Sequence, residues 1–330
     1  MARVLTHRDT KVAVSLGSGG IRMFAHISVL RFLEKLGAYK HIDELWGASG
    51  GAVVSLLYSM GLDAAALQQV TDHYFGNGKS TIRLAPTGVN IAMQMIREAV
   101  FPKGNGKPFS GFHNIHRELQ SLIQEASRLQ KGKLPCYLLA YNLETNRTDV
   151  LTPHEIPEGL YSDFIYRTDP LEAIIASSSV PVLFVPKTIE DTNGRRIYSD
   201  GGIGEEVPTL SIYKKWVLDR EAGLEKRKRL LVIAVDLGSE LSAMGIFENW
   251  LLKRVPTLRM TARLTDLVRK ARIAEQKRVL LQDPNVELWE INFNLPQVGL
   301  LDTHDIPKVM EIAEAALPEH MSRINDSLLG

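Results

Sequence analysis

The chain has 330 residues, 45% of them hydrophobic and 23% charged, with a formal net charge of +1. This is ordinary globular composition, which excludes a disordered or fibrous chain, and the near-neutral balance excludes nucleic-acid binding through a uniformly basic surface. No stretch approaches the roughly 20 apolar residues of a bilayer-spanning helix, so any membrane contact is expected to be peripheral.

In chain order, Met1 to Thr10 hold no apolar run of signal length, and a cytoplasmic location is expected. Lys11 to Leu16 reads as a buried strand feeding the glycine loop Gly17-Ser18-Gly19-Gly20. Arg22 to Leu36 carries apolar residues at helical spacing and stops at Gly37. Leu45-Trp46-Gly47 reads as a second strand, running through Ser49-Gly50-Gly51 into a nearly all-apolar, hence buried, helix from Ala52 to Met60. Strands follow at Pro135 to Asn142 and Thr148 to Leu151, with Cys136 as buried filler rather than a reactive thiol. Pro170 to Ser177 is a short helix. Phe184 to Ile189 and Arg196 to Tyr198 flank a hairpin at Asp191-Thr192-Asn193-Gly194. Arg229 to Leu237 and Asn285 to Phe293 are strands, separated by a long helix from Thr257 to Leu281, and a helix after Pro307 closes the chain. Alternating strands and helices predict an α/β fold, a three-layer α/β/α sandwich around a mainly parallel sheet. Residues 1–330 are expected to form one domain, with 74–111 as a cap and 240–330 as a C-terminal part that the pattern defines less well; Tyr74 to Gly111 and Glu240 to Pro256 are the less regular segments.

Three glycine-bearing turns carry the chemistry. Gly47-Ala48-Ser49-Gly50-Gly51 is Gly-x-Ser-x-Gly between a strand and a buried helix, where a strained turn exposes a nucleophile and flanking side chains would collide. The helix start beside Ser49 directs amides and positive dipole at developing negative charge. Gly17 to Arg22 offers unencumbered amides to an anion, either a phosphate or an oxyanion. It fails as a dinucleotide fingerprint, since the last glycine is replaced by Arg22, a residue equally suited to a structural ion pair or a functional role. Asp200-Gly201-Gly202 follows a strand, and on its own it reads as a plain turn.

These three segments, in this order, resemble the patatin-like phospholipase family over about residues 11 to 210. Ala25-His26-Ile27-Ser28-Val29-Leu30 and Ala176-Ser177-Ser178-Ser179-Val180-Pro181 are also similar to that family. The resemblance implies a lipid acyl hydrolase of phospholipase A or lysophospholipase type, cleaving carboxylic esters without metal or cofactor. Ser49 would be the nucleophile and Asp200 the base that takes its proton directly. Gly47 and Gly51 would shape the nucleophile elbow, and Gly201 and Gly202 the base motif. Amides around Ser18, Gly19 and Gly20 would hold the oxyanion. Arg22 would support that loop or contact a substrate phosphate. The implied partner is a phospholipid or lysophospholipid, with peripheral membrane contact, no nucleic acid and no stated oligomeric state. Two positions depart from the family pattern: Ser18 replaces a glycine, and Glu205-Glu206 stand where asparagines are usual, acids that would repel anionic head groups if they faced the site. A soluble esterase, thioesterase or acyl transferase, and a non-catalytic lipid- or phosphate-binding module, are the alternatives.

None of the nine histidines occupies a recognisable triad slot; His26 reads as a packed helix residue. His113 and His116 form a lone pair without carboxylate or cysteine company, so no metal site is expected. Val89 to Val100 is amphipathic and reads as a packed helix, with a mobile cap or shallow anchor as the alternative. Arg259, Arg263, Lys270 and Lys277 form a basic stripe on the long helix beside Met260, Leu264, Leu267, Ala271 and Ala274. A solvated face is the expected reading, and attraction to anionic lipid the alternative.

Overall fold

A computed structural model describes residues 9–75, 113–128, 134–161, 164–181, 184–191, 194–238, 256–293, 295 and 305–328. Strand β1 (Thr10–Leu16) is buried along its whole length because it pairs in parallel on both edges, with β2 (Glu44–Ala48) and β8 (Arg229–Asp236). A core lies on each face as well, so Val12 to Leu16 is apolar except at Ser15 and does not alternate. Its side chains still divide by the period of two: Val12, Val14 and Leu16 enter one core, Ala13 the other.

The sheet runs β5 (Ile165–Arg167), β4 (Arg147–Thr152), β3 (Cys136–Asn142), β2, β1, β8, β9 (Val286–Asn292). The neighbours from β3 to β9 are parallel, while β4 runs antiparallel to β3. A hairpin of β6 (Lys187–Asp191) and β7 (Gly194–Asp200) joins through β7, again antiparallel to β3. The result is the mixed, mainly parallel sheet with flanking helices expected from the strand–helix alternation.

The placement of β7 matters most. Because β4 occupies one edge of β3 from Leu138 to Asn142, β7 must use the other edge, the one that β2 uses. Strand β2 leaves that edge at Ala48, opposite Leu139, and β7 arrives from the other direction at Asp200, opposite Ala140. Two strands therefore meet head-on along one template, and the residue after β2 is Ser49.

On one face of the sheet pack α1 (Ala25–Lys35), α2 (Gly50–Ser59), α3 (Ala64–Phe75), α4 (His113–Arg128), α5 (Pro170–Ser177) and α8 (Ile306–Leu328). On the other, α6 (Leu210–Glu221) contributes Ile212 and Trp216, and α7 (Pro256–Leu280) contributes Leu280. Beneath α6 lies a buried ionic network. Lys11 is 3.1 Å from Glu44 and 3.4 Å from Asp219, and Lys215 is 2.7 Å from Asp219 and 3.4 Å from Glu44. Tyr161 donates to Asp219 and Trp46 to Glu44, so each acid is hydrogen-bonded as well as paired. Such pairing is what makes charge tolerable at this depth.

Several elements differ from expectation. The segment expected as one helix from Arg22 begins as a 3-10 turn at Gly20–Phe24 before α1. Residues 184–186 are not strand, and α3, α4, α6 and β5 were not anticipated. The expected C-terminal strand, long helix and closing helix are present as β9, α7 and α8. The expected cap, from residue 76 onward, and the amphipathic piece Val89 to Val100 lie outside the described residues. Cys136 is buried filler as expected, and burial pushes its thiol up to about 12. Among the described residues no helix is long and apolar enough to cross a membrane, and no group of histidine, cysteine and carboxylate side chains could hold a metal ion.

Candidate active site

Ser49 sits at the junction of β2 and α2 with φ 53° and ψ −121°, one of two described non-glycine residues at positive φ. Such a conformation costs on the order of 1–3 kcal/mol and persists only where the surroundings enforce it. The surroundings here are tight. A Cβ on Gly47 would lie 2.5 Å from the Gly51 carbonyl, and one on Gly51 only 2.1 Å from the Leu16 carbonyl. The sharp elbow thus needs glycine at both positions for want of space.

A second support comes from the turn after α5. The Ser49 amide donates to Ser177 Oγ at 3.1 Å, and Ser178 Oγ donates to the Ser49 carbonyl at 3.4 Å. The same turn holds the opposite side of the site: the Asp200 amide donates to the Ser179 carbonyl at 3.0 Å, and Ser199 Oγ donates to it at 2.9 Å. Three successive serines therefore tie the backbones of residues 49 and 200 to one turn. Sequence reading noted this run only as part of a family likeness. The available signal was three small hydrogen-bonding residues directly after a helix.

Asp200 is buried, and its Oδ1 accepts the Gly202 amide at 2.9 Å. Burial raises its pKa to about 6; the hydrogen-bonding influence of the Ser49 hydroxyl and the Gly202 amide pulls it down, and the nearby charge of Glu206 pushes it up. Ser49 and Asp200 are therefore side by side. Asp200 Oδ2 is buried without a hydrogen-bond partner. Gly201 is again demanded by space, since a Cβ there would lie 2.1 Å from the Leu139 carbonyl.

The glycine loop faces the elbow: a Cβ on Gly50 would meet the Gly20 carbonyl at 2.9 Å and the Met23 side chain at 2.8 Å. One expectation is corrected here. The Ser18 amide donates to the Glu206 carbonyl at 2.8 Å and is not available to an oxyanion. The Gly19 and Gly20 amides donate to no described residue, and neither does the Gly50 amide at the start of α2. Serine fits at 18 because φ there is not positive, and its hydroxyl packs over Gly202, 2.8 Å from where a Cβ would stand.

Arg22 is 1% exposed and its guanidinium donates to the Gly238 carbonyl beyond β8, tying the glycine loop to the end of that strand. His26 is fully buried, with Nε2 2.8 Å from the Gly17 carbonyl. Burial holds its pKa down to about 4, so it stays neutral and secures the loop. The two acids after the base motif are also accounted for. Glu205 accepts amides of Thr209, Leu210 and Ser211 at the start of α6, and Glu206 pairs with Arg269 at 2.7 Å. Neither presents a bare charge to a head group.

The model of the patatin-like phospholipase family matches residues 14–213, a span that contains all three glycine turns. Among solved structures, human GIVD cytosolic phospholipase A2 is similar at a TM-score of 0.50 and 11% identity, covering 97% of this chain and 62% of that one. VipD from Legionella pneumophila is similar at a TM-score of 0.44 and 12% identity, covering 96% of this chain and 67% of that one. At these identities the likeness is one of fold, and the chain spans about two thirds or less of either protein.

Proposed function

The chain belongs to the patatin-like phospholipase family, and from that premise we propose that it is a lipid acyl hydrolase working through a Ser49–Asp200 dyad. The observation that carries the reading is the adjacency of a strained, buried serine hydroxyl and a buried carboxylate beside unoccupied amides. Ser49 Oγ attacks the ester carbonyl carbon and its proton passes to Asp200 Oδ2. Negative charge on the carbonyl oxygen is met by the amides of Gly19, Gly20 and Gly50 and by the positive end of α2. When the tetrahedral adduct collapses, the C–O bond breaks and the leaving alcohol takes the proton from Asp200. Water, giving its proton to Asp200, then hydrolyses the acyl-serine and releases a fatty acid.

A carboxylate of ordinary pKa near 4 is a weak base for a hydroxyl. Lifting Asp200 to about 6 makes it a better one while leaving it ionised at neutral pH. The reading is tested by labelling with a fluorophosphonate and by fatty-acid release from phospholipid vesicles. Wild type should label at Ser49 and release acid, and Ser49→Ala should do neither. Unchanged acid release by folded Ser49→Ala would overturn it.

A further inference from the structure

Helix α7 is inside out. In a typical surface helix the apolar stripe faces the core and the charged face meets water. Here Met260, Leu264, Leu267 and Val268 are between 51% and 65% exposed. At about 3.6 residues per turn they share one face with Ala271 and Ala274, also exposed. The opposite side meets the protein through polar anchors. Arg269 pairs with Glu206, Arg272 donates to the carbonyls of Ile203 and Gly204, and Lys277 pairs with Glu290. The helix is thereby pinned to the loop that directly follows Asp200-Gly201-Gly202.

Charge on this helix is equally lopsided. From Pro256 to Leu280 there are seven basic residues and two acidic ones, a net +5 in a chain whose total is +1. Lys270 borders the apolar stripe on one side and Arg272 on the other. An outward apolar stripe bordered by cations is the pattern of a helix that lies in the interface of an anionic bilayer.

We propose that the Met260–Leu264–Leu267–Val268 face of α7 is the surface by which the protein docks on anionic phospholipid bilayers, laying the Asp200 side of the site against the lipid. The docking stands on α7 alone; only its purpose rests on the hydrolase reading. A second copy of the chain would explain an apolar face equally well, but it would bring net positive charge against net positive charge. A bilayer rich in anionic lipid supplies the complementary sign.

The test compares wild type with Leu264→Ser/Leu267→Ser/Val268→Ser in co-sedimentation with phosphatidylcholine vesicles, with and without phosphatidylglycerol. All three positions are exposed, so the fold is expected to persist, and turnover of a water-soluble nitrophenyl ester reports on the site itself. Wild type should bind the phosphatidylglycerol vesicles, release from them at high salt, and bind pure phosphatidylcholine weakly. The triple variant should bind at least tenfold less while hydrolysing the soluble ester at the wild-type rate. Equal vesicle binding by wild type and variant overturns the docking surface even if both are active. Absence of vesicle binding, with self-association of wild type abolished in the variant, overturns it in favour of a second copy. Vesicle binding that depends on α7 in a protein inactive on every ester leaves the docking standing and removes the hydrolase reading.

Discussion

The Ser49 amide is bonded to the Ser177 hydroxyl at 3.1 Å, so the backbone of the proposed nucleophile is held by a residue 128 positions away. Since Ser49 occupies an unfavourable backbone conformation, losing this acceptor leaves a buried amide unsatisfied and loosens the elbow. Ser177→Ala is expected to cost about 1–3 kcal/mol of stability and to lower kcat on the order of tenfold to a hundredfold through misplacement of the hydroxyl. Ser177→Thr keeps the oxygen and should restore kcat, with KM similar in all three proteins. Steady-state kinetics on a soluble ester checks this, and an unimpaired alanine variant would show that the elbow holds itself.

The base must be ionised to accept a proton. With Asp200 at about 6, kcat/KM is expected to be level above that pH and to fall about tenfold per unit below it. His26, held down to about 4, cannot produce such a limb. His26→Gln should therefore lower activity or stability while leaving the inflection where it is, whereas a shifted inflection would give histidine a direct part in proton transfer.

The raised carboxyl has a stability consequence. Folded Asp200 keeps its proton up to about 6, while an unfolded aspartate loses it near 3.9. Between these values the folded state binds more protons, so this residue makes stability fall as pH rises. Asp200→Asn should be inactive yet more stable than wild type at neutral pH, by about 1–3 kcal/mol, with the gap closing below about pH 4. Urea denaturation at two pH values measures it; an asparagine variant less stable at neutral pH would contradict the assignment.

Beneath α6 the sign is opposite. Burial pushes the Glu44 carboxyl up, but Lys215 and Lys11 outweigh it and hold the group below its ordinary value. Its contribution is present at neutral pH and is lost as pH falls through that depressed value. Lys215→Met leaves two acids sharing Lys11 and should destabilise by about 3–5 kcal/mol at neutral pH. The deficit should shrink as acid protonates the carboxylates. A deficit constant from neutral pH to pH 3 would mean that lost packing, not charge, dominates.

The central strands were readable because both faces of each are covered, which makes β1, β2, β3 and β8 predominantly apolar instead of alternating. Helix α6 escaped for the converse reason. It buries Lys215 and Asp219 beside Trp216, so the contrast between an apolar and a charged face, on which periodicity depends, is missing. Strand β5 is three residues long and leaves no pattern to read. At the site, Gly47, Gly51 and Gly201 were legible because space forces their identity, whereas Asp200 read alone as a plain turn and stood out only through the family resemblance. The occupied amide of Ser18, the neutral role of His26 and the grip of Ser177 were not. The first and last depend on partners far away in the chain, Glu206 for Ser18 and Ser49 for Ser177, and the His26 contact with Gly17 depends on how the glycine loop folds back on α1.

The head-on meeting of β2 and β7 along β3 sets the spacing of Ser49 and Asp200 by strand register. Hydroxyl and carboxylate are aligned by two adjacent residues of the template, Leu139 and Ala140, and not by the length of polypeptide between them. Insertions in the surface loops of that stretch carry a closure penalty that grows only slowly with size. A slip of one residue in β7 would turn Asp200 to the other face of the sheet. Remodelling that leaves Ser49 set against Asp200 is therefore confined to the loops between elements, since β3 and the Ser177–Ser179 turn both hold the two residues in place.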